Sequence, residues 1–527
     1  MSPSRLFTII TLVGLHTLLP AAPAFCQVSQ AWAQRYNGPA NSLDEARAIA
    51  IDGSGNVFVT GRSAGVGTNV DYATIKYDSA GNVVWVMRYD FGIGRADTAM
   101  ALRLGVNGHV YVTGMSRSTP LFEDYATIKY DPDGQPSASW PSTGFGVGVR
   151  RYDGPTAEQD QALAMAIDAL DNVYVTGKSK GPGSDYDYLT IKYNAGGAED
   201  WVRRYNGPGN ALDEARGVVV DSNGNVYVTG LSAGSGTDFD YATIKYSANG
   251  TELWVSRYNG PANQDDLAVS LSMGTSEDVY VTGYSKGVGT DYDYATIRYD
   301  RASGAEIAVA RYVEPAPAGR DDRAVGVAVD ADGNVIVAGK SWGTSLYDYV
   351  TVKYDSDLNP LWEQRLNWGP SFDEAQAMTL DADGNIYVTG LAYTGPATGR
   401  DYVTVKYAAD GTQQWATSYS GPGAADDFAL AVAAGPDGSV CVTGTSVGSG
   451  SGNDYVTVKY VSLVRGDLNC DGAFDAADVS AFVLALVDSV GYGQTYPQCN
   501  ISLADMNGDG EEDGADIQDF VDALMGT

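Results

Sequence analysis

The sequence predicts an all-β eight-bladed β-propeller, built of four-stranded antiparallel blades and closed by its N-terminal strand, followed by a small α-helical EF-hand-like calcium-binding domain. Three observations predict it. The segment Asp-Tyr-x-Thr-x-Lys/Arg-Tyr starts at Asp71, Asp124, Asp187, Asp240, Asp293, Asp348, Asp401 and Asp454, at intervals of 53, 63, 53, 53, 55, 53 and 53 residues. Each copy sits among four alternating, β-branched and aromatic runs punctuated by Gly, Asn and Asp, the strand count and length of a propeller blade. After the last copy, a loop of spaced Asp and Asn residues occurs twice, 38 residues apart, and runs each time into an amphipathic pattern.

Residues 1–24 read as a signal peptide. Arg5 supplies the basic start, Leu6 to Leu19 the short apolar stretch, and Ala22-Pro23-Ala24 the small-x-small cleavage pattern. Cleavage after Cys26 is the alternative; a lipid anchor on Cys26 asks for a small residue before it, and Phe25 is not small. No later stretch is apolar for long enough to span a bilayer, so an extracellular chain without a transmembrane segment is expected.

Within the first repeat, Ala46 to Ile51 is strand a, and the turn Asp52 to Asn56 leads into strand b, Val57 to Thr60. A Gly/Ser loop precedes strand c, Asp71 to Tyr77, and the turn Asp78 to Asn82 leads into strand d, Val83 to Tyr89. A β-solenoid coil would be shorter and would lack these two hairpins. The first recognisable strand, Trp32 to Tyr36, is a d; the last, Asp454 to Tyr460, is a c. Pairing the two completes an eighth blade and spares the ring a free edge, which gives a propeller over residues 32–460.

The runs Asp221 to Gly230 and Asp381 to Gly390 read Asp-x-x-Gly-Asn-Val/Ile-Tyr-Val-Thr-Gly. These segments resemble the SBBP family of bacterial β-propeller repeats. The resemblance implies the fold and no particular activity.

A net charge of −33 excludes a nucleic-acid partner, because phosphate binding needs a basic face. Of two histidines, His16 lies in the leader and His109 in a turn, so no Ser-His-Asp, Cys-His or histidine-rich zinc centre is expected and no catalytic residue is assigned. Carboxylate chemistry stays available, which leaves a polysaccharide hydrolase or lyase as the alternative function. Acids recur before every strand a: Asp44-Glu45, Asp97, Asp160, Asp213-Glu214, Asp265-Asp266, Asp321-Asp322, Asp373-Glu374 and Asp426-Asp427. They read either as an acidic, tyrosine-rich channel face for a cation or sugar, or as blade-to-blade hydrogen bonding with Arg35, Arg88, Arg204 and Arg257. The bland reading is preferred, since a site needs to be made only once. Asp330 to Asn334 and Asp381 to Asn385 mimic a calcium loop but occupy a hairpin, and so read as turns. The recurring Trp85, Trp201, Trp254, Trp362 and Trp415 read as blade core. The insertions Pro132 to Val149, with Trp140 and Phe145, and Pro315 to Arg320 are where individuality is expected.

Asp467, Asn469, Asp471, Asp475 and Asp478, with the backbone carbonyl of Ala473, occupy calcium-loop positions 1, 3, 5, 9, 12 and 7. Asp505, Asn507, Asp509, Glu511, Asp513 and Asp516 repeat the set. Two Ca2+ ions are expected, with Asp at position 12 in place of the longer Glu. The following stripes, Val479, Phe482, Val483, Leu486 and Ile517, Phe520, Val521, Leu524, are spaced to pack together. Cys470 and Cys499 flank the segment between the loops and are expected to form a disulfide in an oxidising compartment, whereas Cys441 reads as a buried free thiol.

The duplicated loop and helix over about residues 465–525 resembles a type I dockerin, giving a module over residues 465–527. The resemblance implies two calcium ions and docking onto a cohesin. Glu512 departs from the apolar residue the family prefers there. Ala476-Ala477 and Gly514-Ala515 replace its Ser/Thr recognition pairs, so partner choice does not carry over. The expected protein is a secreted, monomeric, calcium-binding scaffold or adhesion protein. Its propeller offers a platform for a ligand such as a polysaccharide, and its module attaches to a cohesin-like protein or the cell envelope.

Overall fold

The computed structural model describes residues 27–525 apart from 93, 118–121, 157, 315–319, 344–345, 370, 397, 424, 464, 470–473, 497–498, 500 and 508–509. The signal peptide expected over 1–24 lies outside the described residues. Among the described residues thirty-two strands form eight separate four-stranded antiparallel sheets, seven of them running a-b-c-d in sequence order. Blade 1 is typical: Asp44–Ile51, Val57–Ala64, Val70–Tyr77 and Val83–Tyr89. Successive strands a contact one another around the ring, and that of blade 8 contacts that of blade 1. The eighth blade takes its outer strand from the N-terminus: Gln27–Tyr36 pairs with Asn453–Leu463, with Tyr36 opposite Tyr455 and Trp32 opposite Lys459.

Each residue of the repeated Asp-Tyr-x-Thr-x-Lys motif has a contact that explains it. The tyrosine reaches the next blade and donates its hydroxyl to a strand-c carbonyl, as Tyr72 does to Ala126 and Tyr188 to Ala242, both at 3.1 Å. The last of these, Tyr455, donates to Ala73 of blade 1 at 3.2 Å and closes the circle. The threonine pairs with a threonine of strand b, as Thr74 does with Thr60 at 2.9 Å. The lysine caps a carbonyl of the next blade's c–d hairpin, as Lys245 does Arg301 at 2.7 Å. A buried hydroxyl or ammonium left unpaired costs more than a bond to water returns, so one misplaced blade would strand several such groups.

The strand-d tryptophan makes the apolar counterpart of this link. Trp32, Trp85, Trp201, Trp254 and Trp362 each lie against the next blade's hairpin glycine (Gly81, Gly134, Gly250, Gly304 and Gly411), all at positive φ. A side chain on any of these glycines would strike the ring. The insertion in blade 2 is structural, contrary to the expectation of individuality. Its strand d is only Val149–Tyr152, and Trp140 from the insertion is buried against Gly197, donating Nε1 to Ala195 at 3.0 Å. Trp140 therefore supplies the ring that the short strand lacks.

Beyond strand c of blade 8 lies a small helical region with α1 (Val479–Val487), α2 (Ser489–Thr495) and α3 (Asp516–Met525). Its core joins Leu468, Phe482, Tyr492, Leu503 and Phe520, with Leu463 at the end of the last strand packed against it.

Candidate functional site

The first acid of each strand a turns out of the channel and into the boundary between blades. Asp44, Asp97, Asp160, Asp213, Asp266, Asp322, Asp373 and Asp427 are all buried. Each accepts a backbone N–H from the loop that enters its blade, for example Gly38 to Asp44 and Gly207 to Asp213, both at 2.6 Å. Burial pushes the carboxyls up, to about 6 at Asp97, Asp160, Asp266 and Asp322 and to about 7 at Asp373, because the surroundings solvate the charged form poorly.

The arginines clamp a different acid, that of strand c. Arg88 donates to Asp71 Oδ2 at 2.7 Å, to the Ser63 carbonyl and hydroxyl, and to Tyr36 of the preceding blade at 3.1 Å. The same pairing recurs as Arg35–Asp454, Arg151–Asp124, Arg204–Asp187, Arg257–Asp240, Arg311–Asp293 and Arg365–Asp348. Blade 7 departs from it: Ser418 stands opposite Val403 where blade 1 sets Arg88 opposite Ala73, and Asp401 instead accepts the Thr394 hydroxyl. The repeated acids thus follow the blade-to-blade reading, with the strand-c carboxylates as the arginines' partners.

The calcium-like hairpins are turns. Asp330 accepts the backbone N–H of Asp332 and Asn334 and an ion pair from Lys353 at 2.8 Å, which saturates it. Asp381 accepts the equivalent pair from Asp383 and Asn385. His109 bonds the Val106 carbonyl at 3.0 Å and lies 3.4 Å from Asp131. Cys441 is a buried free thiol pushed up to about 12 by burial.

The C-terminal region repeats one loop geometry twice. Asp478 Oδ1 accepts the N–H of Leu468 and Asn469 at 2.7 and 3.0 Å, and its Oδ2 that of Asp475 at 3.0 Å. Asp516 Oδ1 accepts the N–H of Met506 and Asn507 at 2.7 and 3.0 Å, and its Oδ2 that of Asp513 at 2.9 Å. Both carboxylates are wholly buried, and no basic side chain pairs with either among the described residues. The last acid of each loop therefore folds back on the backbone of its own loop, at Leu468, Asn469 and Asp475 in the first and at Met506, Asn507 and Asp513 in the second. Asp471, Ala473, Asp509 and Cys470 lie outside the described residues. Cys499 is disulfide-bonded.

The two helical stripes meet less completely than their spacing predicts. Phe482 and Phe520 stack with centroids 3.8 Å apart, and Phe474 meets Phe520 edge-on at 5.1 Å. Val479, Val483, Val487, Ile517 and Val521 stay exposed and form an apolar groove with Phe482 and Phe520 as its floor. Sequence periodicity missed α2, whose Tyr492 donates to the Leu468 carbonyl at 3.0 Å and steadies the first loop. A seven-residue helix with two glycines carries little periodic signal.

Residues 31–67 and 200–239 match the family model described as SBBP, beta-propeller repeat. No curated protein sequence matches the chain. Among solved structures, the WD40 domain of SCAP from fission yeast is similar at 10% identity and TM-score 0.43, covering 82% of this chain and 98% of that one. Polysaccharide lyase Uly1 is similar at 12% identity and TM-score 0.39, covering 79% and 90%. A protein from Dyadobacter fermentans is similar at 9% identity and TM-score 0.39, covering 82% and 99%. With the SBBP repeat matched in two of its segments and eight four-stranded blades in its fold, the chain is a β-propeller repeat protein.

Proposed function

We propose that the protein is a secreted, calcium-binding scaffold in which the propeller presents a ligand surface and the C-terminal region attaches it to a protein partner. The observation that carries the reading is the matched pair Asp478 and Asp516. Two fully buried carboxylates, each bonded to three backbone N–H groups and to no basic side chain among the described residues, close two loops whose other donors are carboxylate and amide oxygens. An oxygen-only donor set suits a hard divalent cation, and calcium would neutralise the charge gathered in each loop. Asp467, Asn469, Asp471, Asp475 and Asp478 with the Ala473 carbonyl would hold one ion, and Asp505, Asn507, Asp509, Glu511, Asp513 and Asp516 the other.

The groove between α1 and α3 supports attachment, since exposed valines on two adjacent helices gain by being covered. A cohesin-like surface is the partner this face suits. The disulfide at Cys499, which we assign to Cys470, supports an oxidising destination in keeping with the expected leader. On the propeller, Tyr284, Tyr292, Trp342 and Tyr347 gather where strands b and c of blades 5 and 6 meet, with Arg323 over both Tyr284 and Tyr292. Such rings stack on sugars, which favours a polysaccharide as ligand.

Titrating the full chain with calcium tests the reading. Two ions bound in the C-terminal loops and a gain of far-UV helix signal are expected, with both lost in Asp478→Asn/Asp516→Asn. No heat and no helix gain in the unaltered chain would sink it.

A further inference from the structure

The innermost strands wall the central channel, and their charges do not balance. Past the opening acids, which are buried at the blade boundaries, the eight strands a carry only three glutamates and four arginines as charged residues. Every glutamate is already held. Glu45 pairs with Arg47 at 2.6 Å and Arg62 at 2.8 Å, Glu214 with Lys178 at 2.7 Å and Arg216 at 2.9 Å, and Glu374 with Lys340 at 2.8 Å. Arg323 pairs with Asp321 at 2.6 Å. The remaining arginine, Arg103 of blade 2, has no acid beside it among the described residues.

Arg103 stands opposite Tyr111, near the end of its strand. At the same register the other blades carry small uncharged residues, such as Ala50 opposite Phe58 and Ala166 opposite Tyr174. The Arg103 side chain is exposed, yet its surroundings solvate it poorly and push the guanidinium below its ordinary value. A side chain that water reaches but protein crowds stands in a narrow passage, and on an innermost strand that passage is the channel. Its one hydrogen bond goes to the carbonyl of Leu102, the residue before it, at 2.8 Å. A guanidinium has five N–H donors, so most of this fork meets neither a protein acceptor nor a counter-charge. Packing does not explain it, because alanine fills the same position in other blades. A charge kept in such a place is costly until an anion joins it.

We infer that the central channel binds the carboxylate of a small organic acid, held by the guanidinium fork of Arg103. A planar carboxylate matches the fork through two parallel N–H···O bonds. The alanine, valine and leucine side chains of the neighbouring strands a suit an organic body better than a hydrated inorganic ion. The acid can be free in solution or be the terminal uronate of a polysaccharide. The site is separate from the C-terminal loops and from the aromatic patch of blades 5 and 6, and depends on neither.

Equilibrium dialysis of the full chain against labelled galacturonate, at fixed calcium and ionic strength, tests the site. One galacturonate per chain is expected to bind, displaced by acetate and not by galactose. Arg103→Ala installs the residue that Ala50 and Ala166 hold at this register, so the variant should fold, with near-UV circular dichroism as the check. It should weaken galacturonate binding roughly tenfold or more, the effect of removing a charged hydrogen-bonding partner. Arg103→Lys keeps the charge without the fork and should recover only part of the loss. Trigalacturonate that binds through Arg103 more tightly than the monomer identifies a polysaccharide end as the source. Exclusion of the trimer while monomer and acetate bind identifies a free acid. Galacturonate binding that is unchanged in the folded Arg103→Ala variant overturns the proposal, and so does the absence of any acetate-displaceable binding to the unaltered chain.

Discussion

Leu358 and Ala308 exchange the roles that glycine and tryptophan hold at most other blade boundaries. Leu358 sits at positive φ in the c–d hairpin of blade 6, where the other c–d hairpins carry glycine, and its side chain is buried. Ala308 of blade 5 stands opposite Arg298 as Trp254 stands opposite Lys245, and it packs against the cluster that contains Leu358. The leucine fills the volume that the missing indole leaves. Left-handed backbone costs a leucine about 1 kcal/mol, which its burial outweighs at about 2 kcal/mol.

A double-mutant cycle follows from this exchange. Ala308→Trp alone drives an indole into Leu358 and should lower the melting temperature by overpacking, and Leu358→Gly alone should lower it by leaving a cavity. The double substitution rebuilds the arrangement of the other boundaries and should recover most of both losses, a coupling of about 1–3 kcal/mol. Additive losses would show that the two positions do not share one space.

This compensation was present in the sequence but could not be read there. Alignment of the repeats shows that strand d of blade 5 lacks a tryptophan and that one hairpin lacks its glycine. Only the offset between blades shows that these two departures face each other. Blade number, strand order and the closing N-terminal strand were legible because strand periodicity and the phase of the repeat encode them directly. The partners of the arginines were not, because alternation fixes which face a residue takes but not that strand pairing sets Arg88 beside the strand-c Asp71 and away from the strand-a acids. Trp140 was misread for a related reason: an insertion that replaces a missing core residue looks, in one dimension, like added function.

The arginine clamp makes a prediction in each direction. Arg151 is buried with Asp124, so Arg151→Ala leaves that carboxylate without a cation and should cost about 3 kcal/mol, read as a lower denaturation midpoint. Blade 7 offers the converse. Ser418→Arg with Ala392→Ser supplies the two missing groups beside the buried Asp401 and should raise the midpoint. A drop in the second variant would show that Thr394 already completes that site.

The buried strand-a acids set the pH dependence. Their folded values of about 6 to 7 lie above the ordinary carboxylate value near 3.9, so over about pH 4 to 6 the folded chain holds protons that the unfolded chain releases. The stability this gives is complete below the unfolded value and lost as pH rises through the folded one. The melting temperature in calcium-free buffer should therefore rise from pH 7.5 to pH 5. Asp373→Asn, which removes the carboxyl facing Asp348, should raise it at pH 7.5 and flatten the upper part of the profile. A melting temperature that falls steadily over that range would contradict the assignment.

The N-terminal strand closes the ring by three kinds of contact at once. It covers the edge of Asn453–Leu463. Its Trp32 lies on Gly81 of blade 1, and its Arg35 clamps Asp454 and Ser446 of blade 8. Its Tyr36 receives Arg88 of blade 1. Beginning the chain at residue 38 removes all of these, but leaves the Tyr455 bond to Ala73 and the contact between the first and last strands a. The ring should then open at one weakened boundary without unfolding outright. Calorimetry should show a lower and broader transition, and sedimentation should show concentration-dependent self-association through the uncovered strand edge. Arg35→Ala should lower the midpoint with no self-association, because it loosens the clamp and leaves the edge covered. If the shortened chain stays monomeric and melts like the full one, the remaining contacts suffice for closure and the strand is dispensable.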